Sequence, residues 1–568
     1  APLGRVGAAL ARRRRVFAGG AGALGLAWLA DELRGHRVGQ RTCRALGTGA
    51  LLLWEYKVRW TPERSAEIHE RVAKSVVACL RGNEGLYVKF GQVLATMNTV
   101  LPEQYRRELQ VLHDRAATFP FADVKRVVEA ELGRPLHDVF EDFEEEPVAS
   151  ASIAQVHRAR LRPSIAGSGP EAGGVPVAVK VQKPNIPVQN SCDLAVYRFM
   201  LEVLERSFEL PLAWTYEYTR QQLEAELDFR VEAANAERCA EQLAASPRLR
   251  GRVVVPDVYR QVSGRRVMVM EWVDCISPVS DGAALRQAGV DPVEAMQLAV
   301  EVFGYQIFST GHVHCDPHPG NLLVRRDSSG LPGWQLVLLD HGLYCDLPEK
   351  LRREYADFWV ATALGDRDAV VRLCRSWGVA DEEASELLAS LTQSRRVRFG
   401  AGRRGMVAGL FAPARDRAPA PAPAPRRKLT PEELAAAQVA IKARARRLLA
   451  DTRAFPQELI FVGRNLDMIR STNFSLGSAV NRVAVLARCA AEGSMVEGST
   501  AEGGAAAARA WVSRSAALCK FHLVVHSLLL VDRLATAWRG LRHQLQALGQ
   551  GLGWVWATTR PQFLAAEE

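Results

Sequence analysis

The sequence lacks the cysteine pairs of a disulfide framework or a zinc site, since its ten cysteines include no Cys-x-x-Cys spacing. Isolated cysteines favour reduced thiols in an intracellular compartment. The chain also lacks a helix-turn-helix pattern and a basic sheet with interleaved aromatic residues, although its net charge is +10. Nucleic acid is therefore not expected as a partner. The 568 residues, 48% of them hydrophobic, are enough to bury a two-lobed core and to carry extensions.

Acidic residues are absent from the first seventeen positions, which are rich in arginine and alanine and include the run Arg12–Arg15. This composition is typical of an organellar transit peptide, and we predict a remnant of one at residues 1–17. Residues 16–30 form an uncharged apolar run that is short for a bilayer crossing. A signal peptide, a buried helix and a membrane anchor at residues 18–30 all fit this run, and we favour the anchor.

The most specific pattern of the chain joins a histidine-rich loop to an Asp-x-Gly turn. The loop reads Gly311-His312-Val313-His314-Cys315-Asp316-Pro317-His318-Pro319-Gly320-Asn321, and the turn reads Asp340-His341-Gly342. In kinase sites a loop Asp accepts the substrate proton, while an Asn five residues later and the Asp of the turn bind magnesium. We therefore predict Asp316 as the catalytic base, and Asn321 and Asp340 as the magnesium ligands.

A hairpin is predicted between the loop and the turn. Leu322–Val324 and Leu336–Leu339 are strand-like, and the segment between them is rich in turn residues. A hairpin at this point places Asn321 beside Asp340, so that two hard oxygen ligands converge on one cation.

Two simpler interpretations compete with a metal and nucleotide site. An isolated Asp-x-Gly sequence is usually only a tight turn. The second interpretation is a zinc cluster, with four candidate ligands: His312, His314, Cys315 and His318. However, no second pair of ligands at zinc spacing occurs elsewhere in the sequence. The joint order of loop, hairpin and turn is more specific than any one of these parts.

A kinase site also needs a strand lysine and a helix glutamate upstream of the loop. The valine-rich run Val177–Gln182 contains Lys180, which matches the strand lysine that contacts nucleotide phosphates. Residues Thr219–Ala245 are predicted to form one amphipathic helix that carries Glu226. We predict an ion pair between Lys180 and Glu226, and we assign both residues to the catalytic set.

No Gly-x-Gly-x-x-Gly loop directly precedes the Lys180 strand. An alanine-rich segment takes its place, and its methyl groups restrict the close backbone approach to phosphates that glycines allow. We therefore predict an unusual mode of nucleotide binding, by Lys180 together with Ala149, Ser150, Ala151, Ser152 and Ala154.

These motifs resemble the UbiB, or aarF-domain-containing (ADCK), family of atypical kinase-like proteins. The alanine-rich loop is one family signature, and the catalytic loop also fits. A Lys-x-Gly-Gln motif is matched by Lys89–Gln92, and a Glu-x-Asp motif is matched by Glu226–Asp228. The resemblance implies that Lys89 and Gln92 face Glu226 and Asp228, fold over the active site and regulate it by excluding a bulky peptide.

The resemblance also implies an α+β fold, namely a two-lobed protein-kinase-like fold with a small β-rich N-lobe, a mostly helical C-lobe and a helical N-terminal extension that carries the Lys-x-Gly-Gln motif. The predicted segments are the extension at 36–138, the N-lobe at 139–275, the C-lobe at 276–490 with a mobile linker at 412–429, and a linker with a helical tail at 491–568.

The expected function is that of an ATP- and magnesium-dependent enzyme, which would be an ATPase or a small-molecule or lipid-pathway kinase that binds ATP and ADP. Asp340-His341-Gly342 and the segment Arg464–Arg470 look most like the branch linked to mitochondrial membrane and lipid homeostasis, whereas the coenzyme Q branch carries Phe in place of His341. The expected partners are nucleotide and membrane lipid or lipid-pathway proteins. A nucleotide-gated scaffold without catalysis is the alternative function, and a plastid is the alternative location.

Overall fold

The computed structural model describes residues 31, 37–96, 102–109, 112, 118–167, 173–208, 214–327, 333–379 and 456–494. The predicted transit peptide, membrane anchor and mobile linker, and the predicted tail beyond Ser494, lie outside the described residues. The chain divides into two compact units. Of the described residues, the first unit holds those within 31–277 and 320–344, and the second holds those within 278–319, 345–379 and 456–494.

Helices and strands are numbered here in chain order. The helices are α1 Val38–Lys57, α2 Ser65–Asn83, α3 Gly85–Thr96, α4 Glu103–Leu109, α5 Phe121–Leu132, α6 Leu136–Val139, α7 Pro163–Ala166, α8 Ile186–Phe208, α9 Trp214–Glu226, α10 Phe229–Ala245, α11 Gly282–Gln287, α12 Pro292–Tyr305, α13 Glu349–Leu364, α14 Arg367–Ser376, α15 Glu458–Ser475 and α16 Arg482–Ser494. The strands are β1 Phe140–Phe143, β2 Ala149–Ser150, β3 Ala154–Leu161, β4 Val175–Gln182, β5 Val253–Val254, β6 Val267–Glu271, β7 Ser277–Pro278, β8 His312–His314, β9 Leu322–Arg326, β10 Trp334–Leu338 and β11 Tyr344–Asp346.

The first unit begins with the predicted helical extension. Helix α1 packs on α2 and on α8, and a buried ion pair between Arg41 and Asp193 ties α1 to α8. Leu86 and Phe90 of α3 are buried in the same hydrophobic cluster as Leu223 of α9. The helix that carries the Lys-x-Gly-Gln motif is therefore fixed to the lobe by apolar contacts.

A five-stranded sheet forms the core of this unit, with the strand order β1-β3-β4-β6 and with β2 added to β3. Strand β4 alternates as its sequence predicts: Val177, Val179 and Val181 are buried against the helix α5 side of the sheet. Successive side chains of a strand point to opposite faces. Lys180 therefore lies on the other face.

The predicted single helix from Thr219 to Ala245 is wrong, because the chain breaks it into α9 and α10. Asp228 lies between the two helices in an extended conformation, and its carboxylate accepts a hydrogen bond from the Arg230 N–H. The carbonyl of Leu227 leaves the helical pattern and accepts a bond from the Gln182 side chain at 3.0 Å. Asp is a favoured N-cap residue, so the break has a local cause in the sequence.

The predicted hairpin is confirmed. Strands β9 and β10 pair antiparallel, with Leu322 opposite Leu338 at one end and Arg326 opposite Trp334 at the other. The Leu339 N–H donates to the Asn321 carbonyl at 2.9 Å. The strands thus bring Asn321 close to the start of the Asp-x-Gly turn.

In the second unit, helix α12 continues into a π-helical turn, Gln306–Thr310, which ends at Gly311. Gly311 has φ of 74°, and a Cβ at this position would lie 3.2 Å from the Leu347 carbonyl oxygen, so a residue with a side chain would be strained here. Helix α16 packs against this turn and against α13. Gly493 near the C-terminal end of this helix packs closely against the Phe308 backbone. The helix runs to Ser494, so the segment predicted as a linker and tail from residue 491 begins with helical residues.

Within the described ranges, no helix is both long enough and apolar enough to cross a membrane.

Candidate active site

Lys180 lies between two carboxylates in the first unit. Its Nζ is 2.6 Å from Oε1 of Glu232 and 3.4 Å from Oδ1 of Asp340. The side chains of Lys180 and Glu232 are only 13% and 5% exposed. The Phe229 ring lies 5.4 Å from the ammonium group and adds a cation–π contact. A buried strand lysine paired with a helix glutamate is also found in protein kinases, where the lysine contacts nucleotide phosphates.

The predicted ion pair between Lys180 and Glu226 is wrong, because Glu232 takes this position. The helix break is the physical reason: Glu226 is the last residue of α9, whereas Glu232 lies in the first turn of α10. Glu226 instead contacts Lys89 of the extension, with 3.0 Å between Nζ and Oε2. Two glutamates six positions apart thus serve two different lysines.

The charges of the Lys180 group depend on one another. Burial would lower the pKa of Lys180, but the Asp340 and Glu232 carboxylates outweigh it and hold this pKa above its ordinary value. Burial raises the pKa of Glu232, while the neighbouring Lys180 ammonium acts in the opposite direction. Removal of either Lys180 or Glu232 therefore takes away the nearest opposite charge of the other, whose side chain is largely buried.

A double-mutant cycle tests this choice of partner. We expect Lys180→Met and Glu232→Gln to be coupled by about 1–3 kcal/mol in the free energy of unfolding, because each removes the same buried ion pair. Lys180→Met and Glu226→Gln should be coupled by at most about 0.5 kcal/mol. Chemical denaturation of the single and double variants measures both values. A larger coupling for Glu226 than for Glu232 would restore the pairing predicted from the sequence.

The expected contact between the Lys-x-Gly-Gln helix and the Glu-x-Asp segment is present for Lys89, which pairs with Glu226. The side chain of Gln92 lies outside the described residues. Asp228 caps α10 and forms an ion pair with Arg230, with 2.6 Å between the charged atoms. The hydrogen bonds from Arg230 lower the pKa of Asp228. Its observed contacts are those of a helix cap, and its regulatory role stays a prediction.

Asn321 and Asp340 supply the oxygen atoms of the predicted magnesium site. Asn321 is buried, and Asp340 has a φ of 55°, a left-handed conformation that turns the chain after β10. The described residues include no group of three or more His, Cys, Asp or Glu side chains that could hold a metal. A magnesium ion commonly binds one or two protein carboxylates or amides and completes its shell with phosphates and water. The donor set fits such an ion, and metal binding itself stays a prediction.

His341 fixes the Asp340 turn through both ring nitrogens. Nε2 lies 3.2 Å from the Leu338 carbonyl, and Nδ1 lies 2.8 Å from the Tyr344 hydroxyl. A carbonyl can only accept, so Nε2 carries the proton and Nδ1 accepts from Tyr344. The Asn235 side chain donates to the His341 carbonyl at 3.0 Å. The position occupied by Phe in the related branch is therefore a polar anchor here.

The alanine-rich segment forms the tight turn between β2 and β3. Ala149 and Ser150 pair with Val156 and Gln155, and the Ala151 N–H donates to the Ala154 carbonyl at 2.8 Å. Ala149 and Ala151 are exposed, whereas Ser152 and Ala154 are buried. The exposed methyl groups lie where a phosphate loop has glycines, and nucleotide contact with this turn stays a prediction.

Asp316 lies in the second unit, directly after β8. Its N–H donates to Nδ1 of His314 at 3.0 Å, and its Oδ1 is 3.0 Å from a terminal nitrogen of Arg464. Asn465 donates to the His314 carbonyl at 2.6 Å. Arg464 and Asn465 belong to α15, about 150 residues beyond the loop, and sequence reasoning gave them no role at the site. No local signal could have supplied one, because only the fold brings α15 to the loop.

The zinc interpretation of the loop finds no support in the ring contacts. His312 points Nδ1 at the Asp346 carboxylate, 2.9 Å away, and His314 uses Nδ1 to accept from the backbone of Asp316. Burial raises the pKa of the Cys315 thiol well above its ordinary value, and its Sγ donates to the Val313 carbonyl at 3.2 Å.

Comparison with known proteins connects this geometry to one family. The ABC1 atypical kinase-like domain matches residues 111–374. ABC1 family protein C10F6.14c of Schizosaccharomyces pombe is 34% identical over 482 residues, which are 84% of this chain and 83% of that protein. AarF domain-containing protein kinase 1 of Xenopus laevis is 34% identical over 58% of this chain and 62% of its own length. The probable serine/threonine-protein kinase abkD of Dictyostelium discoideum is 31% identical over 80% of this chain and 61% of its own length. The solved complex of Rv3197 with erythromycin from Mycobacterium tuberculosis matches 72% of this chain at 23% identity with a TM-score of 0.40.

Proposed function

Because the chain belongs to the ABC1 atypical kinase-like family, we propose that it is an ATP- and magnesium-dependent enzyme, an ATPase or a small-molecule or lipid-pathway kinase. The observation that carries the proposal is the position of Lys180 between Glu232 and Asp340. Kinase sites use such a lysine to hold nucleotide phosphates and such an aspartate to hold the metal. The fold and the motif order support the same assignment.

The proposed roles follow from the charges of the residues. Lys180, oriented by Glu232, binds phosphate oxygens, and Asn321 and Asp340 hold magnesium through hard oxygen ligands. When bound, magnesium supplies positive charge that offsets the charge developing on the transferred phosphoryl group. Asp316 accepts the proton of the attacking hydroxyl or water.

The extension favours small acceptors over protein substrates. Lys89 is partly buried against Glu226 and anchors α3 to the end of α9 within the first unit. Phe90 of α3 lies in the same hydrophobic cluster as Leu223 of α9, and these apolar contacts also fix α3 in place. A fixed helix at this place limits access for a bulky peptide. We therefore favour ATP hydrolysis or the phosphorylation of a small molecule or lipid.

The observation that favours an enzyme over the alternative, a nucleotide-gated scaffold, is the support given to Asp316. Its carboxylate is held by Arg464 in a largely buried pair. A protein that only senses nucleotide has no use for a base, and a buried ion pair is costly to form. The pair therefore supports turnover.

The proposed setting is organellar lipid or prenyl-quinone homeostasis. The arginine-rich, acid-free first seventeen residues support import into a mitochondrion, or alternatively a plastid. The apolar run that follows supports association with a membrane, and lipid or a lipid-pathway protein is the proposed partner.

Nucleotide binding and turnover are tested together on the purified protein. We expect ATP with magnesium to raise the melting temperature, because a ligand bound only by the folded state stabilises it. Removal of magnesium with EDTA should abolish most of the shift. Phosphate release above background should accompany binding. Binding without any release would favour the scaffold, and the absence of both would contradict the proposal.

A further inference from the structure

The catalytic loop has no strong positive charge of its own. Residues 311–324 contain no Lys or Arg, yet the Asp316 carboxylate has a guanidinium 3.0 Å from Oδ1. This group is Arg464 of helix α15, and the two side chains are 11% and 21% exposed. The charge beside the proposed base therefore comes from a distant part of the sequence.

Anchoring the loop does not require this charge. The adjacent Asn465 is fully buried and already binds the His314 carbonyl at 2.6 Å. From the other side, the Gln306 side chain accepts from the His314 N–H at 3.1 Å. Two neutral amides thus hold the backbone of the loop. A buried guanidinium costs several kcal/mol of desolvation, so Arg464 needs a reason beyond anchoring.

The contact of Arg464 is with the side chain of Asp316, not with the loop backbone. A guanidinium is planar and rigid, and it fixes the direction of a bound carboxylate better than an ammonium does. Holding Oδ1 fixes the rotation of the carboxylate about its Cβ–Cγ bond. The efficiency of a general base depends on its placement, and a misplacement of about 1 Å costs about 10²-fold in rate.

We propose that Arg464 is the positioning residue of Asp316, which sets the orientation of this carboxylate for proton transfer. The proposal rests on the proposed function, in which Asp316 accepts a proton from the attacking hydroxyl or water. The proton moves to Asp316, the oxygen bonds to the γ-phosphorus, and ADP leaves with the electrons of the broken bond. Arg464 touches none of the reacting atoms in this step.

The first test measures phosphate release from ATP by the full chain. We expect Arg464→Ala to lower kcat by about 10-fold or more, with the KM for magnesium–ATP changed less than about 3-fold, because orientation and not nucleotide binding is lost. Methylguanidinium at tens of millimolar should restore part of the lost kcat. Arg464→Lys should stay impaired, since a lysine cannot reproduce the planar contact.

Arg470→Ala provides the matched control. Arg470 lies on the same helix, and its side chain is 42% exposed and paired with Asp467. This variant should keep the parental kcat and show no response to methylguanidinium. A loss of kcat in Arg464→Ala that methylguanidinium does not restore, or an equal loss in Arg470→Ala, would reduce Arg464 to a structural contact.

The second test needs no turnover. The lowering of the melting temperature by Arg464→Ala and Asp316→Asn together should be clearly smaller than the sum of the two separate effects, because both remove one ion pair. Additive effects would show that the pair does not exist in solution and would overturn the proposal. A parent that releases no phosphate would instead refute the proposed function, and with it the positioning role, even if the melting temperatures showed the pair.

Discussion

Replacing Asp340 by Asn is expected to abolish the thermal stabilisation of the protein by ATP with magnesium. The variant replaces the only carboxylate of the two predicted metal ligands with a neutral amide, so the metal-bound nucleotide loses its strongest electrostatic contact with the protein. A ligand at about 100 times its Kd stabilises the folded state by about 2.7 kcal/mol, which is a shift of several degrees that a melting experiment resolves. We expect the shift of the variant to be indistinguishable from that with buffer alone.

The variant should fold normally. Asp340 has a φ of 55°, and Asn adopts this left-handed conformation as readily as Asp. Lys180 keeps Glu232 as its nearest partner. Asp142→Asn on the exposed surface of β1 is the matched control and should retain the full shift. A parental shift in Asp340→Asn would mean that another residue holds the metal.

Replacing Asp316 by Asn is expected to lower phosphate release from ATP by about 10²-fold or more while nucleotide binding persists. The size follows from the usual contribution of a general base, about 10² to 10⁴ in rate. Binding persists because Asn keeps the shape of the side chain and offers Arg464 an amide oxygen in place of the carboxylate. Single-turnover measurements with liposomes of organellar lipids separate the chemical step from product release.

Asp366→Asn is the control for this change. Asp366 caps helix α14 in the same unit by accepting from the Ala369 N–H, and Asn is an equally good cap. This variant should keep the parental rate. If Asp316→Asn turns ATP over at the parental rate, Asp316 is not the base. If the parent shows no turnover above the Asp316→Asn background, and the variant still restores growth in a strain that lacks the protein, the scaffold function replaces the enzymatic one.

Local patterns were sufficient to predict much of the fold. A valine-rich run predicted strand β4 with Lys180 inside it, and turn residues between two apolar runs predicted the β9–β10 hairpin. Both predictions rest on contacts between residues that are close in sequence or on a period of two along a strand. Such features need no knowledge of the tertiary structure.

The misassigned glutamate shows where local patterns fail. An apolar period that continues through Leu227 favours one helix, but the cap at Asp228 and the buried carbonyl contact of Leu227 end it. The tertiary contact of Leu227 favours two helices over one continuous helix. As a result Glu232, and not Glu226, lies beside Lys180. A capping interpretation of Asp228 would have signalled the break, because Glu follows four positions later as an acidic first-turn residue.

Arg464 and Asn465 mark a second limit. Their contacts with the loop that carries Asp316 cross about 150 residues of sequence, and neither residue stands at a recognisable spacing from Asp316. Segments so far apart in sequence are brought together by the packing of whole helices. Here α15 and α16 pack against α12, and α16 also packs against the π-helical turn. A local sequence motif therefore need not indicate all the side chains that form the site.

The late position of α15 and α16 changes how far this domain can be shortened. The segment matched by the family domain ends at Cys374. The helices that contact the Asp316 loop and the π-helical turn, α15 and α16, begin only at Glu458 and Arg482. A splice form or proteolytic product that stops at the domain boundary would contain all the kinase motifs. It would nevertheless expose to solvent the hydrophobic surface of α12 and α13 that α16 covers. Exposed apolar faces of this kind promote aggregation and clearance of the product. A transcript that encodes all the motifs therefore does not by itself encode a protein that folds stably.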